Sequence, residues 1–264
     1  MSDAVKYTNK LHGAKVLVIG GSSGIGFGVA EALLEHGAHV IISSSNPDRV
    51  NSTLDKLLKD YPSAKSRLSG YPCNLGEQAS LDENVKQLLE KSTKEGGKLD
   101  HVVYTAGDSL AMIPIGEVTT EKAIKAGMVR FFGPLIVAKH APAYLNPGPK
   151  SSLVLTTGSV SERPRPNWSV IGSFATGLQG MTRGLALDLK PIRVNLISPG
   201  VVNTELWNGM SEEQKQKLFK ESAEKLPTGR VPTPSDIAEV YLGCLKDQNM
   251  TGSMISTNGG ALLV

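Results

Sequence analysis

The sequence predicts a single doubly wound α/β domain built on a parallel, seven-stranded sheet. Three observations carry this. Short β-branched apolar runs alternate with segments of helical spacing along the whole chain. Alternation of this kind builds parallel crossovers, because a parallel neighbour needs a connection long enough to hold a helix. The 264 residues, 40% of them hydrophobic and 20% charged, suit one extended core. No internal repeat, low-complexity tract or linker marks a second domain.

The elements follow in order. Lys15–Ile19 is an apolar run with β-branched residues, flanked by Gly, the pattern of a buried strand. Residues 26–35 then have helical spacing, with Val29, Ala30, Leu33 and Leu34 on one face. A second strand at 38–42 precedes a helix at 51–58, and a weak third strand at 67–71 precedes a helix at 81–91. His101–Tyr104 is the fourth strand, 122–140 a long helix, and Ser152–Thr156 the fifth strand. A helix at 173–189, a sixth strand at 193–197 and a seventh at Met254–Thr257 complete the pattern. Two stretches are irregular, 107–117 and 203–232, the second carrying a helical segment at 211–225. Both follow strands directly. Open parallel sheets hold ligands outside the carboxyl ends of their strands, so these stretches are candidate substrate walls and a lid.

Composition narrows the function. With 28 Lys and Arg against 25 Asp and Glu, a net charge of +3 argues against nucleic acid and membrane surfaces as partners. Cys73 and Cys244 form no CxxC pair, which fits a reduced, cytoplasmic enzyme with inert buried thiols. Residues 1–15 carry no apolar run of the signal-peptide kind, and no stretch approaches the roughly 18 apolar residues of a membrane helix. The five histidines are dispersed, so no metal site is expected.

Between the first strand and the first helix stands Gly20-Gly21-Ser22-Ser23-Gly24-Ile25-Gly26. A helix N-terminus offers free N–H groups and a partial positive charge, and glycines let a pyrophosphate approach the backbone. Gly20, Ser22, Ser23, Gly24 and Ile25 are therefore candidate dinucleotide contacts. The second strand runs out into Ser43-Ser44-Ser45-Asn46. An NAD site usually places an acid here for the ribose 2′-hydroxyl. Three hydroxyls and an amide instead offer donors to a 2′-phosphate, with Arg49 close in sequence, so NADP(H) is the expected cofactor.

The Gly20, Gly24 and Gly26 spacing resembles the short-chain dehydrogenase/reductase family, and further matches cover nearly all of the chain. Asn74-Leu75 resembles the family's Asp-Val, which meets the adenine. Tyr104-Thr105-Ala106-Gly107 resembles its Asn-Asn-Ala-Gly. Arg193-Val194-Asn195 and Ser198-Pro199-Gly200-Val201-Val202-Asn203-Thr204 resemble its sixth strand and nicotinamide loop, while Thr251-Gly252 and Asn258-Gly259-Gly260 resemble its last strand. The resemblance implies a Rossmann-type fold and a homo-tetramer or dimer. It also implies cofactor contacts from Asn74, Leu75, Ala106, Gly107, Pro199, Gly200, Val202 and Thr204.

That resemblance fails at the reaction site. The family uses a Tyr acid, a Lys four residues later, a Ser about 13 residues earlier and an Asn on the preceding helix. Gly180-Met181-Thr182-Arg183-Gly184-Leu185-Ala186 reads like the segment after the Lys, which puts Ile171 on the Tyr and Ala175 on the Lys. Gly158 falls on the Ser, with Thr156, Thr157 and Ser159 beside it, and Arg130 falls on the Asn. Ketone reduction needs a proton donor or oxyanion stabiliser, whereas a cationic C=N carbon needs hydride alone. The expected reaction is therefore reduction of an iminium-type small molecule.

Other polar residues are candidates for the vacant roles. Arg130 is expected to grip a substrate oxygen with its planar fork, or to form a structural salt bridge. Asp108 is a candidate to stabilise a cation, or to cap a turn. In the loop 161–168, stiffened by Pro164 and Pro166, Glu162 or Arg165 would supply charge and Trp168 would stack on substrate. Trp207, with Met210, would belong to the lid. This pattern is similar to the fungal reductases of the malbrancheamide and paraherquamide type, which reduce a cationic intermediate with NADPH and guide an intramolecular Diels–Alder cyclisation. That group has an Asp between the two prolines; here the residue is Arg165. Two competing expectations are a conventional carbonyl reductase using Ser169 or Ser173 as acid, and a non-catalytic NADP-binding protein.

Overall fold

The structure, a computed structural model, describes residues 6–264. Seven strands form one sheet in the order β3-β2-β1-β4-β5-β6-β7, every neighbouring pair parallel. The first half runs β1 (Lys15–Ile19), α1 (Gly24–Glu35), β2 (His39–Ser44), α2 (Pro47–Asp60), β3 (Leu68–Pro72) and α3 (Leu81–Thr93). The chain then returns to β4 (His101–Tyr104), beside β1. Next come α4 (Thr120–Gly127), α5 (Gly133–Tyr144), β5 (Ser152–Thr156), α6 (Ser169–Asp188) and β6 (Arg193–Pro199). It ends with α7 (Glu212–Lys225), α8 (Pro234–Lys246) and β7 (Met254–Thr257). The reversal of direction between β1 and β4 opens the crevice at the carboxyl ends of the strands.

Two apolar layers clamp the sheet, which is why its central strands read as continuous hydrophobic runs. One layer joins Val29, Leu33 and Leu34 of α1 to Leu57 of α2 and Ile237, Tyr241 and Leu242 of α8. The other joins Val85, Leu88 and Leu89 of α3 to Val137 and Ala141 of α5 and Leu178 of α6. Cys73 and Cys244 are buried free thiols, each pushed up to about 11 by burial. No helix among the described residues is long and apolar enough to cross a membrane, and none of their His, Cys, Asp and Glu side chains group as a metal site.

Several boundaries differ from the sequence expectation for local reasons. The second helix starts at Pro47 rather than 51, because Asn46 caps it: Asn46 Oδ1 accepts from the Asp48 and Arg49 amides at 2.8 and 3.1 Å. The helix after β5 starts at Ser169 rather than 173. The long helix expected over 122–140 is two α-segments joined by a π-helical turn at Met128–Phe132. The helix α8 was not anticipated, although Thr233, Pro234 and Asp236 form a capping box with Pro at the first turn.

Candidate active site

A cleft of about 1190 Å³ runs along the carboxyl ends of the strands. Its first half is built around the turn from β1 into α1. Gly20 has φ +90°, and a Cβ there would stand 2.5 Å from the Ala106 backbone nitrogen, so only glycine brings the two strand ends together. Ser22, Ser23, Gly24 and Ile25 line the cleft where α1 begins, and Ser23 occupies the cap position without using its side chain as a cap. The Gly24 amide donates to Glu205 Oε2 at 2.8 Å.

Ser43, Ser44 and Ser45 line the wall beyond β2. Ser43 Oγ is buried and has no hydrogen-bond partner among the described residues. Asn46 departs from expectation: it does not line the cleft, because its carbonyl oxygen is committed to the start of α2. That same helix turns Arg49 and Lys56 onto the wall, the second with Nζ 4.1 Å from the Phe27 ring centroid. Asn74, Leu75, Ala106, Gly107, Pro199, Gly200, Val202 and Thr204 all line the cleft. Asn74 Oδ1 accepts from the Gly76 amide at 2.9 Å.

In the second half, Ile171 and Ala175 stand one helical turn apart on the cleft face of α6, with Gly158 nearby. Thr157 Oγ1 donates to the Ala175 carbonyl at 2.8 Å. No tyrosine among the described residues lines the cleft. The Tyr104 hydroxyl is buried and donates to the Val129 carbonyl, and burial holds its phenol well above the ordinary range. Ser173 Oγ donates to the Val170 carbonyl at 2.7 Å, and neither Ser169 nor Ser173 reaches the cleft.

Arg130 lies in the π-helical turn. That turn shifts the helical phase by one residue, and the Val129 carbonyl it displaces is taken up by Tyr104. Arg130 Nε donates to Asp108 Oδ1 at 3.1 Å, and Nη2 donates to the Asp108 carbonyl. A Cβ on Gly107 would stand 2.8 Å from both guanidinium Nη atoms, so the glycine makes room for the pair. The side chains of Arg130 and Asp108 are 24% and 41% exposed. Burial pulls the Arg130 guanidinium down, and the Asp108 carboxylate opposes that shift. Asp108 thus pairs with Arg130 rather than capping a turn; its Oδ2 has no hydrogen-bond partner among the described residues.

The proline-flanked loop closes the far end. The Arg165 guanidinium sits 5.4 Å from the Trp168 ring centroid, and both line the cleft. Arg163 ties the loop to the Ala261 carbonyl at 2.7 Å. Glu162 does not line the cleft; its Oε2 accepts from Ser256 Oγ at 3.4 Å. Trp207 presents an edge to the cleft but is an anchor, its Nε1 donating to the Val202 carbonyl at 2.9 Å. Sequence reading missed Lys56, Lys125, Leu110 and Phe174, all on the cleft wall. Lys125 had a legible signal, since it lies one turn before Val129 and so shares its helix face.

The model of an SDR-like Rossmann domain matches residues 7–264. The chain belongs to the short-chain dehydrogenase/reductase family. The family member fsr5 of Gibberella fujikuroi is 43% identical over the full length of both chains. The family member malC of Malbranchea aurantiaca is 38% identical, covering 96% of each chain. The structure of the MalC reductase/Diels–Alderase superposes with a TM-score of 0.92 over 98% of this chain and 100% of that one. A small-chain dehydrogenase in complex with NADPH, 28% identical, superposes with a TM-score of 0.76 over 95% and 99%. This chain is a reductase of the short-chain dehydrogenase/reductase type with a single Rossmann-type domain.

Proposed function

We propose that this protein is an NADP(H)-dependent reductase that delivers hydride to a cationic C=N carbon of a small molecule. One observation carries the reading: Ile171 and Ala175 line the reaction end of the cleft, and neither can protonate an oxygen. A carbonyl would need that proton, whereas an iminium carbon becomes an amine on receiving hydride alone. The free Oδ2 of Asp108 would face the iminium, while Arg130 holds the carboxylate in place and takes up its charge.

Bound NADPH would supply the hydride. The residues present fit that cofactor. The unpartnered Ser43 hydroxyl, Ser44, Ser45, Arg49 and Lys56 offer donors and positive charge to a 2′-phosphate, with no acid at the end of β2 to repel it. The amides at the start of α1 would take the pyrophosphate.

The likeness to malbrancheamide-type reductases supports a substrate from fungal indole alkaloid metabolism. It also supports an intramolecular Diels–Alder cyclisation after reduction as a second activity, with Trp168 and Phe174 as its apolar walls. Leu135 on α5 and Leu187 on α6, 40% and 73% exposed, support a homo-oligomer, dimer or tetramer, joined through these helices. The buried free thiols support a reducing, cytoplasmic setting.

The test is turnover of a stable N-alkyl cyclic iminium with saturating NADPH, followed by loss of reduced-nicotinamide absorbance. Steady oxidation of NADPH is the expected result. Reduction of ketones but of no iminium would overturn the proposal.

A further inference from the structure

We propose that the substrate carries a carboxylate, gripped by Lys125 and Arg165 at the reaction end. This rests on the iminium reading above and makes the substrate a zwitterion, of the kind an amino-acid-derived cyclic imine would be.

The charge census of the cleft points there. Arg49 and Lys56 belong to the 2′-phosphate end, and Glu205 is held on the Gly24 amide. Four charged side chains remain at the reaction end: Asp108, Arg130, Lys125 and Arg165. Asp108 and Arg130 neutralise each other. Neither Lys125 nor Arg165 has an ion-pair or side-chain hydrogen-bond partner among the described residues. Two exposed, unopposed cations therefore line this end of the cleft and leave it with a net positive field. Such a field disfavours a purely cationic ligand and favours one that also brings an anion.

Placement agrees with the census. Lys125 lies on α4, whose Gly127 abuts the Phe174 ring of α6: a Cβ there would stand 2.7 Å from it. Arg165 lies just ahead of α6, its guanidinium 5.4 Å from the ring centroid of Trp168, the residue before the helix begins. The two cations thus come from neighbouring segments, α4 and the loop that leads into α6. The indole draws the guanidinium toward its ring face, and the guanidinium's N–H groups, which have no partner among the described residues, remain for a bidentate acceptor. Pro164 and Pro166 limit the loop's freedom, so less entropy is lost when the acceptor binds.

In the step itself, hydride from NADPH adds to the iminium carbon and the C=N π pair moves to nitrogen. The products are an amine carboxylate and NADP⁺, and for an N-alkyl iminium no proton is consumed.

The experiment compares an N-methyl dihydroisoquinolinium with its ring-carboxylate derivative, as substrates with NADPH and as ligands of the NADP⁺ complex, the latter by tryptophan fluorescence. The carboxylate probe should be preferred in kcat/KM by at least about tenfold. In Arg165→Gln and Lys125→Gln that preference should fall toward one, and in Arg165→Lys only partly, since the fork is lost and the charge kept. Equal kcat/KM for the two probes, or a preference unmoved by both Gln variants, overturns the carboxylate assignment while leaving iminium reduction standing. Tight, Arg165-dependent binding of the carboxylate probe with turnover of neither overturns the iminium reading and supports the anion site.

Discussion

The carboxylate of Glu205, in the segment after β6, accepts a hydrogen bond from the Gly24 amide at 2.8 Å, at the first residue of α1. That amide belongs to the set of free N–H groups a dinucleotide pyrophosphate would use. Glu205 is therefore a built-in anion at a position suited to a phosphate, and it carries the same sign of charge.

Replacing it with glutamine removes the charge and its repulsion, while the amide oxygen can still accept from Gly24. Glu205→Gln should tighten NADPH binding about threefold to tenfold, with the gain shrinking as salt is raised. A nicotinamide-fluorescence titration at two ionic strengths measures this. An unchanged dissociation constant at low salt would show that the contact is irrelevant to cofactor entry.

The proposed preference for NADP(H) would be set at the end of β2. Ser44 is the last residue of that strand and lines the cleft, where it faces the same wall as Arg49. A carboxylate placed there would accept from a ribose diol and repel a 2′-phosphate. Ser44→Asp should weaken NADPH at least about tenfold and improve NADH, reversing the preference. Kinetic kcat/KM ratios for the two cofactors, on one substrate, read the change.

The chain shows where sequence patterns are sufficient and where they are not. β1 and β4 were legible because both faces are buried, so their central residues are apolar, with polar side chains only at the strand ends. The glycine turn was legible because Gly20 has a steric reason to be glycine that no other residue meets. Arg130 and Asp108 were each named as candidates, yet their union was not foreseeable. It depends on a π-helical turn that re-aims one side chain, and no periodicity announces a single inserted residue. Asn46 misled for the opposite reason: an amide beside a phosphate-binding strand and an amide beside a helix start look identical until the helix boundary is known. The helix α8 was overlooked because it follows a long irregular stretch, although its capping residues carried the signal.

The positions proposed to lack the acid and its lysine can be refilled. Ile171 and Ala175 are one turn apart on α6, facing the cleft, which is the spacing a tyrosine and its lysine need. The double variant Ile171→Tyr with Ala175→Lys should gain measurable ketone reduction, since the phenol supplies the missing proton and the ammonium favours its release. Iminium reduction should not rise with it, because that reaction consumes no proton. Thermal melting alongside the assays separates misfolding from chemistry, as a lysine at this buried position carries a desolvation cost. A folded double variant that reduces iminium faster but no ketone would refute the assignment of these two positions.

His101 makes the fold sensitive to acid. It is buried in β4 with Nδ1 2.9 Å from Ser152 Oγ on the neighbouring strand. Burial, reinforced by the Arg193 guanidinium, lowers its pKa from 6.5 to about 4. The native ring is therefore neutral between those values, while the unfolded chain binds a proton. Where the unfolded state holds more protons, stability rises with pH. The contribution from His101 is thus complete above the unfolded value near 6.5, is lost as pH falls toward 4, and is exhausted below that. The two values imply a loss of about 3 kcal/mol over the window. His101→Gln keeps polarity but cannot titrate. Urea unfolding of both proteins at pH about 7 and about 4.5 should show the variant clearly weaker at the higher pH and level with, or stronger than, the native chain at the lower. A stability difference that is the same at both pH values would mean the imidazole is protonated alike in the folded and unfolded states.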